Sequence, residues 1–252
     1  MLHFVVPFYN SGGQLPGNIL ALRAFLERDR PGDFEIVLCD DGSTDGSRAA
    51  AERLAGGVPE IRVIGYAPNR GRGYAVRFAA AACAAGGALI FADLDLPQTT
   101  DLSRIRDMAD RLAAVPIVVG SRFLRASRVK RLRRRDLMGK LHHLAVRLLL
   151  PRLKVKDPDA GFKGFDLGAL AAISAVSRED RWSWDMEALT IARANGLAIA
   201  EIPIDWNERH EAYATSVKLL RDAWEEFTGI LRIRKALRRG RYALQSSVSE
   251  AR

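Results

Sequence analysis

Five short apolar runs, Leu2–Val6, Phe34–Cys39, Ile61–Ile64, Ala88–Ala92 and Ile117–Val119, alternate with helix-like segments around Ile19–Asp29, Asp45–Leu54, Gly73–Ala85 and Leu102–Leu112. Runs that are apolar at successive positions suit strands buried on both faces, and such strands need helical crossovers between them. The alternation therefore predicts an α/β chain with a mostly parallel sheet flanked by helices. Polar residues mark the expected helix starts. Ser43 or Thr44 is expected to cap the helix whose first turn carries Asp45, and Thr100 precedes Asp101 at the next.

After residue 120 the rhythm changes to a basic stretch, a Pro/Asp/Gly turn at Lys156–Gly161, a helix from Ser183 to Ala194, a strand from Ala198 to Ile202 and a helix from about Ser216. No Pro/Ser/Gly-rich linker interrupts it. A single domain is expected over 1–244, with halves at about 1–122 and 123–244 and a frayed tail at 245–252. A chain of 252 residues with 48% apolar and 27% charged side chains can bury a sizeable core, which excludes disordered and disulfide-scaffold classes. Cys39 and Cys83 each stand in apolar surroundings and read as buried thiols. Neither a signal peptide nor a membrane-spanning segment is expected.

Chemistry is concentrated where strands end. Asp40 and Asp41 close the second apolar run, at the carboxyl edge where open α/β sheets form ligand crevices. A carboxylate there can accept hydrogen bonds from a base or a ribose, or it can simply hold the turn. The fourth run ends in Asp93-Leu94-Asp95, and strand alternation would send both carboxylates to one side. Such a pair suits a hard divalent cation, Mg²⁺ or Mn²⁺, that neutralises a leaving diphosphate. Asn69-Arg70-Gly71-Arg72-Gly73 offers guanidinium groups and a closely approaching backbone to phosphate oxygens, or else a turn with solvated arginines.

The net charge of +9 and pI near 10.0 call for anionic partners. From Arg122 to Lys154 there are twelve Lys/Arg against one acidic residue, Asp136. Leu137, Met138, Leu141, Leu144, Ala145, Leu148 and Leu149 recur there at largely helical spacing, as in a helix lying in an anionic membrane surface or packed on the domain. Arg232, Arg234, Lys235, Arg238, Arg239 and Arg241 form a second cluster. No nucleic-acid module accompanies either, so nucleic acid is not expected as a partner. His142 and His143 read as interface or helix-surface residues rather than metal ligands.

Taken together, Val6-Pro7-Phe8-Tyr9-Asn10, Asp40-Asp41-Gly42-Ser43-Thr44-Asp45-Gly46, Asn69 to Gly73, Asp93-Leu94-Asp95 and Gly120-Ser121-Arg122 resemble family 2 glycosyltransferases with the A-type fold. Asp157 to Lys163, Arg181 to Glu187 and Glu201 to Trp206 look like the dolichyl-phosphate glucosyltransferase and polyprenyl-phosphate glycosyltransferase branch. The resemblance covers about residues 2–235. It departs at Ser11, where related enzymes often place Glu, and in the neighbours of the Asp-x-Asp motif, Leu94 and Leu96-Pro97-Gln98.

The resemblance implies that Pro7, Tyr9, Asp40 and Asp41 line the nucleoside pocket, with Arg70 and Arg72 near it or the diphosphate. It makes Asp95 the leading metal ligand with Asp93 in support, and Arg122, Lys163, Asp185 and Glu187 the rest of the reaction pocket. The implied reaction is an inverting, metal-dependent transfer of a hexose, glucose from UDP-glucose, to polyprenyl or dolichyl phosphate. The enzyme would be cytoplasmic and peripheral to the membrane. Two alternatives stand beside it: a soluble glycosyltransferase using a saccharide or small-molecule hydroxyl, with Asp185 as base, and a noncatalytic nucleotide-sugar-binding protein.

Overall fold

A computed structural model describes residues 1–83, 86–130, 142–207 and 216–244, the side chains of 216–223 excepted. The strands among the described residues are β1 (Leu2–Phe8), β2 (Phe34–Asp41), β3 (Ile61–Tyr66), β4 (Ala88–Ala92), β5 (Ile117–Ser121), β6 (Arg128–Lys130), β7 (Phe162–Asp166), β8 (Ile199–Pro203) and β9 (Asp205–Asn207). The helices are α1 (Leu15–Asp29), α2 (Ser47–Ala55), α3 (Arg72–Ala82), α4 (Leu96–Thr99), α5 (Arg104–Leu112), α6 (Leu167–Val176), α7 (Trp184–Ala194) and α8 (Ser216–Arg238). Residues 142–149 are also helical.

The main sheet has seven strands in the order β3-β2-β1-β4-β7-β5-β8, and β6 and β9 form a small second sheet. Only β7 runs antiparallel to its neighbours, with Lys163 opposite Phe91 of β4 and Val119 of β5. That reversal brings the start of β7 to the edge where the parallel strands end. Along each strand alternate residues serve opposite faces. Phe4, Ile36 and Ile90 join the core beneath α1, α2 and α5, whereas Val5, Val37 and Phe91 join the core beneath α3, α6, α7 and α8. Burial on both faces is the physical reason these strands read as continuous apolar runs.

The mostly parallel α/β expectation agrees with this architecture, but several local expectations are corrected. Neither Ser43 nor Thr44 caps α2. The helix starts after Gly46, and Asp45 instead accepts hydrogen bonds from the backbone and hydroxyl of Ser47. Thr100 is likewise no cap: α5 starts after Ser103, whose amide donates to Asp101 Oδ1 at 2.9 Å. In both places a short Asx-type turn competes successfully for the polar side chain. Cys83 is only half-buried, whereas Cys39 is buried, and both are free. Burial pushes their thiols up, to about 12 for Cys39 and about 11 for Cys83.

One contact shows how tightly the site-bearing helices pack. A Cβ on Gly73, in the first turn of α3, would lie 2.3 Å from Trp184 Cβ at the start of α7. Only glycine permits that approach, which brings Arg72 alongside Asp185. Arg131, Arg133, Arg134, Arg135, Lys140, Leu137, Met138 and Leu141 of the expected basic amphipathic helix lie outside the described residues, as does the tail 245–252.

Candidate active site

The carboxyl ends of β1, β2, β3, β4 and β5 share one edge of the sheet, and each delivers residues singled out in the sequence. Pro7 lies opposite Cys39 and Phe8 opposite Asp40, so Pro7, exposed Tyr9, Asp40 and Asp41 are neighbours on adjacent strand ends. The loop after β1 is stitched to the one after β2. Asn10 Oδ1 accepts from the Thr44 amide at 2.8 Å, and the Ser11 amide donates to Ser47 Oγ at 2.7 Å. The Ser11 hydroxyl itself donates to the Tyr9 carbonyl at 3.0 Å, within the same loop.

Asp41 and Asp40 differ sharply. The buried Asp41 carboxylate accepts hydrogen bonds from Tyr66 Oη at 2.8 Å, Asn69 Nδ2 at 2.8 Å, the Arg70 amide at 2.7 Å and the Gly71 amide at 2.8 Å. Four donors saturate it, so in this structure it shapes the Asn69–Gly73 loop. Asp40 accepts only from the Ser43 amide, at 2.9 Å, with Arg48 at 3.8 Å. Its second oxygen therefore has spare capacity at the crevice.

A connected charge network lies at the ends of β4 and β7. Arg72 reaches Asp93 Oδ1 with one nitrogen at 2.9 Å and Asp185 with the other, and its guanidinium stacks 4.5 Å from the Trp182 ring. Lys163 Nζ donates to the other Asp185 oxygen at 2.7 Å and to the Ala160 carbonyl. Asp185 and Lys163 are both fully buried. Burial pushes the Lys163 ammonium down, an effect opposed by Asp185. Burial also works against the Arg72 charge, but Asp185 and Asp93 hold it protonated.

Asp93-Leu94-Asp95 does not continue the strand, so the alternation argument fails here. β4 ends at Ala92, the Asp93 carbonyl accepts from the Leu96 amide, and Asp95 forms the N-cap position of α4 without a side-chain cap. A turn, not a pleat, brings the two carboxylates close. Burial, followed by repulsion from Asp93, pushes Asp95 up to about 6. Two crowded carboxylates, one of them already paired with Arg72 through a single oxygen, suit a hard divalent ion. Among the described residues no group of three or more potential ligating side chains exists. Mg²⁺-type sites commonly use one or two carboxylates and complete the shell with substrate phosphates and water. Asp93 is pressed against Gly161, where a Cβ would fall 1.7 Å from Oδ2.

Two expected members of the pocket have strong partners of their own, Arg122 while still within reach of the Asp93 charge. Arg122 makes a two-pronged bond to buried Asp157, both contacts at 2.7 Å, and the Arg122 amide adds a third at 2.8 Å. Glu187 is fully buried and accepts from Ser177 Oγ, the amides of Arg178 and Glu179 at 2.9 and 2.8 Å, and Tyr242 Oη at 2.8 Å. It ties the start of α7 to residues 177–179 and to Tyr242, away from the Arg72 network. Arg70 pairs with Asp180 at 3.1 Å and stacks on Tyr74 at 3.5 Å.

Asp157 and Asp159 have no role of their own expected from the sequence, and Trp182 is expected either to pack in the core or to wall the acceptor side. Asp157 orients Arg122, and Trp182 covers Arg72. Asp159 pairs with His142 at 2.9 Å. Asp157, Asp159 and Gly161 sit in one Pro/Asp/Gly turn, and that composition was the available signal.

The model of the family described as glycosyl transferase family 2 matches residues 3–175. The glycosyltransferase AglD of Haloferax volcanii is 31% identical over 231 residues, covering 90% of this chain and 36% of that protein. Human dolichyl-phosphate beta-glucosyltransferase is 30% identical over 220 residues, covering 82% of this chain and 67% of that one. The chain thus spans about a third of the archaeal protein and two thirds of the human one. Crystal structures of glucosyl-3-phosphoglycerate synthase from Mycobacterium tuberculosis share the fold. The UDP complex superposes with a TM-score of 0.72 at 18% identity, over 93% of this chain and 80% of that one.

The expected polyprenyl- or dolichyl-phosphate acceptor at an anionic membrane is corrected by these findings. The synthase sharing the fold is complexed with Mn²⁺, UDP-glucose and phosphoglyceric acid, a small water-soluble acceptor. No helix among the described residues is long and apolar enough to cross a membrane. The α/β architecture with its A-type topology and the Mg²⁺ or Mn²⁺ expectation agree with the same structures. With the family model covering more than half of its length, this chain belongs to glycosyl transferase family 2.

Proposed function

We propose that this chain is a metal-dependent hexosyltransferase that takes glucose from UDP-glucose and passes it to a hydroxyl of a small water-soluble acceptor. The observation that carries this reading is the linked Asp93–Arg72–Asp185–Lys163 network beside Asp95, at the common carboxyl edge of the strands. Likeness in sequence to a dolichyl-phosphate glucosyltransferase-like branch supports glucose as the sugar. Likeness in fold to a synthase solved with UDP-glucose and phosphoglyceric acid supports the donor and the acceptor class. Residues 1–122 then form the donor half and 123–244 the acceptor half of one domain, acting in the cytoplasm.

In this reading Asp40, with Pro7 and Tyr9 beside it, receives the nucleoside, while Asp41 holds the Asn69–Gly73 loop in shape. Asp93 and Asp95 would hold the divalent ion, which supplies charge neutralisation for the departing diphosphate. Arg72 stands at the same place and can add its charge to that oxygen cluster. Asp185 is the base candidate for the acceptor hydroxyl. Lys163 and Arg72 fix its orientation, and each carboxylate oxygen retains a lone pair beyond the bond it already accepts. Glu187 serves by holding α7, which carries Asp185.

The test is transfer from radiolabelled UDP-glucose, with Mn²⁺ or Mg²⁺, to a panel of small phosphorylated and sugar hydroxyl acceptors, with Asp95→Asn and Asp185→Asn as paired controls. Metal-dependent product in the aqueous panel is expected, with Asp185→Asn lowering kcat more than it raises KM. Turnover confined to a prenyl-phosphate acceptor, or UDP-glucose binding without transfer to any acceptor, would overturn the reading.

A further inference from the structure

The C-terminal half of α8 forms a second polar feature that the reaction does not use. A cleft of about 640 Å³ is lined by Arg70, Arg178, Arg181, Arg232, Lys235, Arg239 and Arg241; the anionic side chains facing it are Glu179, Asp180 and Glu225. Those three are already matched: Glu179 with Arg232 at 2.7 Å, Asp180 with Arg70 at 3.1 Å and with Arg77, and Glu225 with Arg181 at 3.6 Å. The side chains of Arg178, Lys235, Arg239 and Arg241 have no ion-pair or hydrogen-bond partner among the described residues.

The positions of these four cations matter more than their number. Lys235, in the last turn of α8, and Arg239, one residue past the end of that helix, are four residues apart, and the Arg239 amide still donates to the Lys235 carbonyl at 3.2 Å, a like-charge spacing that is unfavourable along a helix. Arg178 comes from the segment between α6 and α7, and Arg241 from the turn after α8. The fold thus gathers positive charge from two chain segments, 178–181 and 232–241, around one concavity whose facing carboxylates are already paired. The volume lies within the usual range for small-molecule sites.

We propose that this cleft is a binding site for a small polyanion carrying at least two phosphate groups, separate from the donor site. Arginine forks and the Lys235 ammonium supply the charge-assisted donors such a ligand needs. The site also has a mechanical connection to the donor loop. Asp180 and Arg181 line the cleft; Asp180 pairs with Arg70, and Arg181 packs on Gly71, where a Cβ would lie 2.7 Å from its Cγ. Occupancy of the cleft therefore bears on the Asn69–Gly73 loop, and a bound polyanion is expected to change donor affinity.

The experiment titrates inorganic pyrophosphate into the full chain by calorimetry at moderate salt with EDTA present, so that no divalent cation supports the donor site. One binding event is expected, weakened at least tenfold in Arg178→Ala/Lys235→Ala/Arg239→Ala, while Mn²⁺-dependent UDP binding by the variant stays within about twofold of the parent. Retained UDP binding also shows that the variant folds. Pyrophosphate binding of equal strength in parent and variant would overturn the proposal, as would its loss on adding UDP with Mn²⁺ in stoichiometric competition. Sulfate bound as tightly as pyrophosphate would overturn it too, by revealing simple charge neutralisation. The titration is independent of sugar transfer, so a failed acceptor assay leaves its result intact.

Discussion

Gly161→Ala isolates the placement of one carboxylate. The added methyl would sit 1.7 Å from Asp93 Oδ2, 2.4 Å from its Cγ and 2.9 Å from Oδ1, whereas ordinary contact begins near 3.4 Å. The carboxylate must therefore retreat by about 1.7 Å, the difference between 3.4 and 1.7 Å. That is most of a metal–oxygen bond of about 2.1 Å. The backbone cannot give way readily, because the Asp93 amide donates to the Gly161 carbonyl at 2.9 Å and Phe162 begins a strand paired with Ala92. Displacing a reacting group by about 1 Å can cost about 100-fold in rate, and disturbing the support of a metal ligand about 10- to 100-fold in affinity. The expectation is a loss of Mn²⁺ affinity of at least tenfold, read by electron paramagnetic resonance of free Mn²⁺, with a parallel loss of kcat/KM. Circular dichroism should remain that of the parent. Parental Mn²⁺ affinity in a folded Gly161→Ala protein would refute the assignment of Asp93 to the metal.

Two further perturbations separate structural from reactive groups. Glu187→Ala strands the Ser177 hydroxyl, two backbone amides and the Tyr242 hydroxyl, and at about 1–3 kcal/mol for each buried unpaired donor the urea unfolding free energy should fall by at least about 3 kcal/mol. A loss below about 1 kcal/mol combined with a collapse of kcat would return Glu187 to the reaction pocket. His142 links the helical segment 142–149 to Asp159 and, at 3.5 Å, to Glu226 of α8. Burial opposes its charge, but the Asp159 contact prevails and holds it up at about 9. A raised histidine stabilises the fold fully below its unfolded value of about 6.5, and that contribution is lost as pH rises through about 9. Thermal melts should therefore show stability falling between those values, with the slope removed in His142→Gln. An identical slope in the variant would assign the pH dependence elsewhere.

Much of the molecule was legible because its signals are local. Strands buried on both faces must be apolar at every position, so β1, β2, β3, β4 and β5 announce themselves, and the carboxylates that follow mark the active edge of the sheet. β7 was not legible as a central strand. Phe162-Lys163-Gly164-Phe165-Asp166 carries a lysine and a glycine in a five-residue run, and its burial depends on Asp185 meeting that lysine from a helix 22 residues away. Glu187 enters the expected reaction pocket through the family resemblance, and only the fold shows which donors converge on it.

The sequence by itself determined the fold class, the family and the set of residues at the sheet edge, because periodicity and short motifs encode backbone geometry within a few positions. Tertiary structure alone decided how those residues divide their work. Asp41 became a loop anchor and Asp40, equally buried, the carboxylate with fewer donors, Arg72 joined Asp93 to Asp185, and Arg122 turned to Asp157. Ionic and hydrogen-bond partners lie tens of residues apart along the chain, and a buried charge is committed by whichever partner packing brings within about 3 Å.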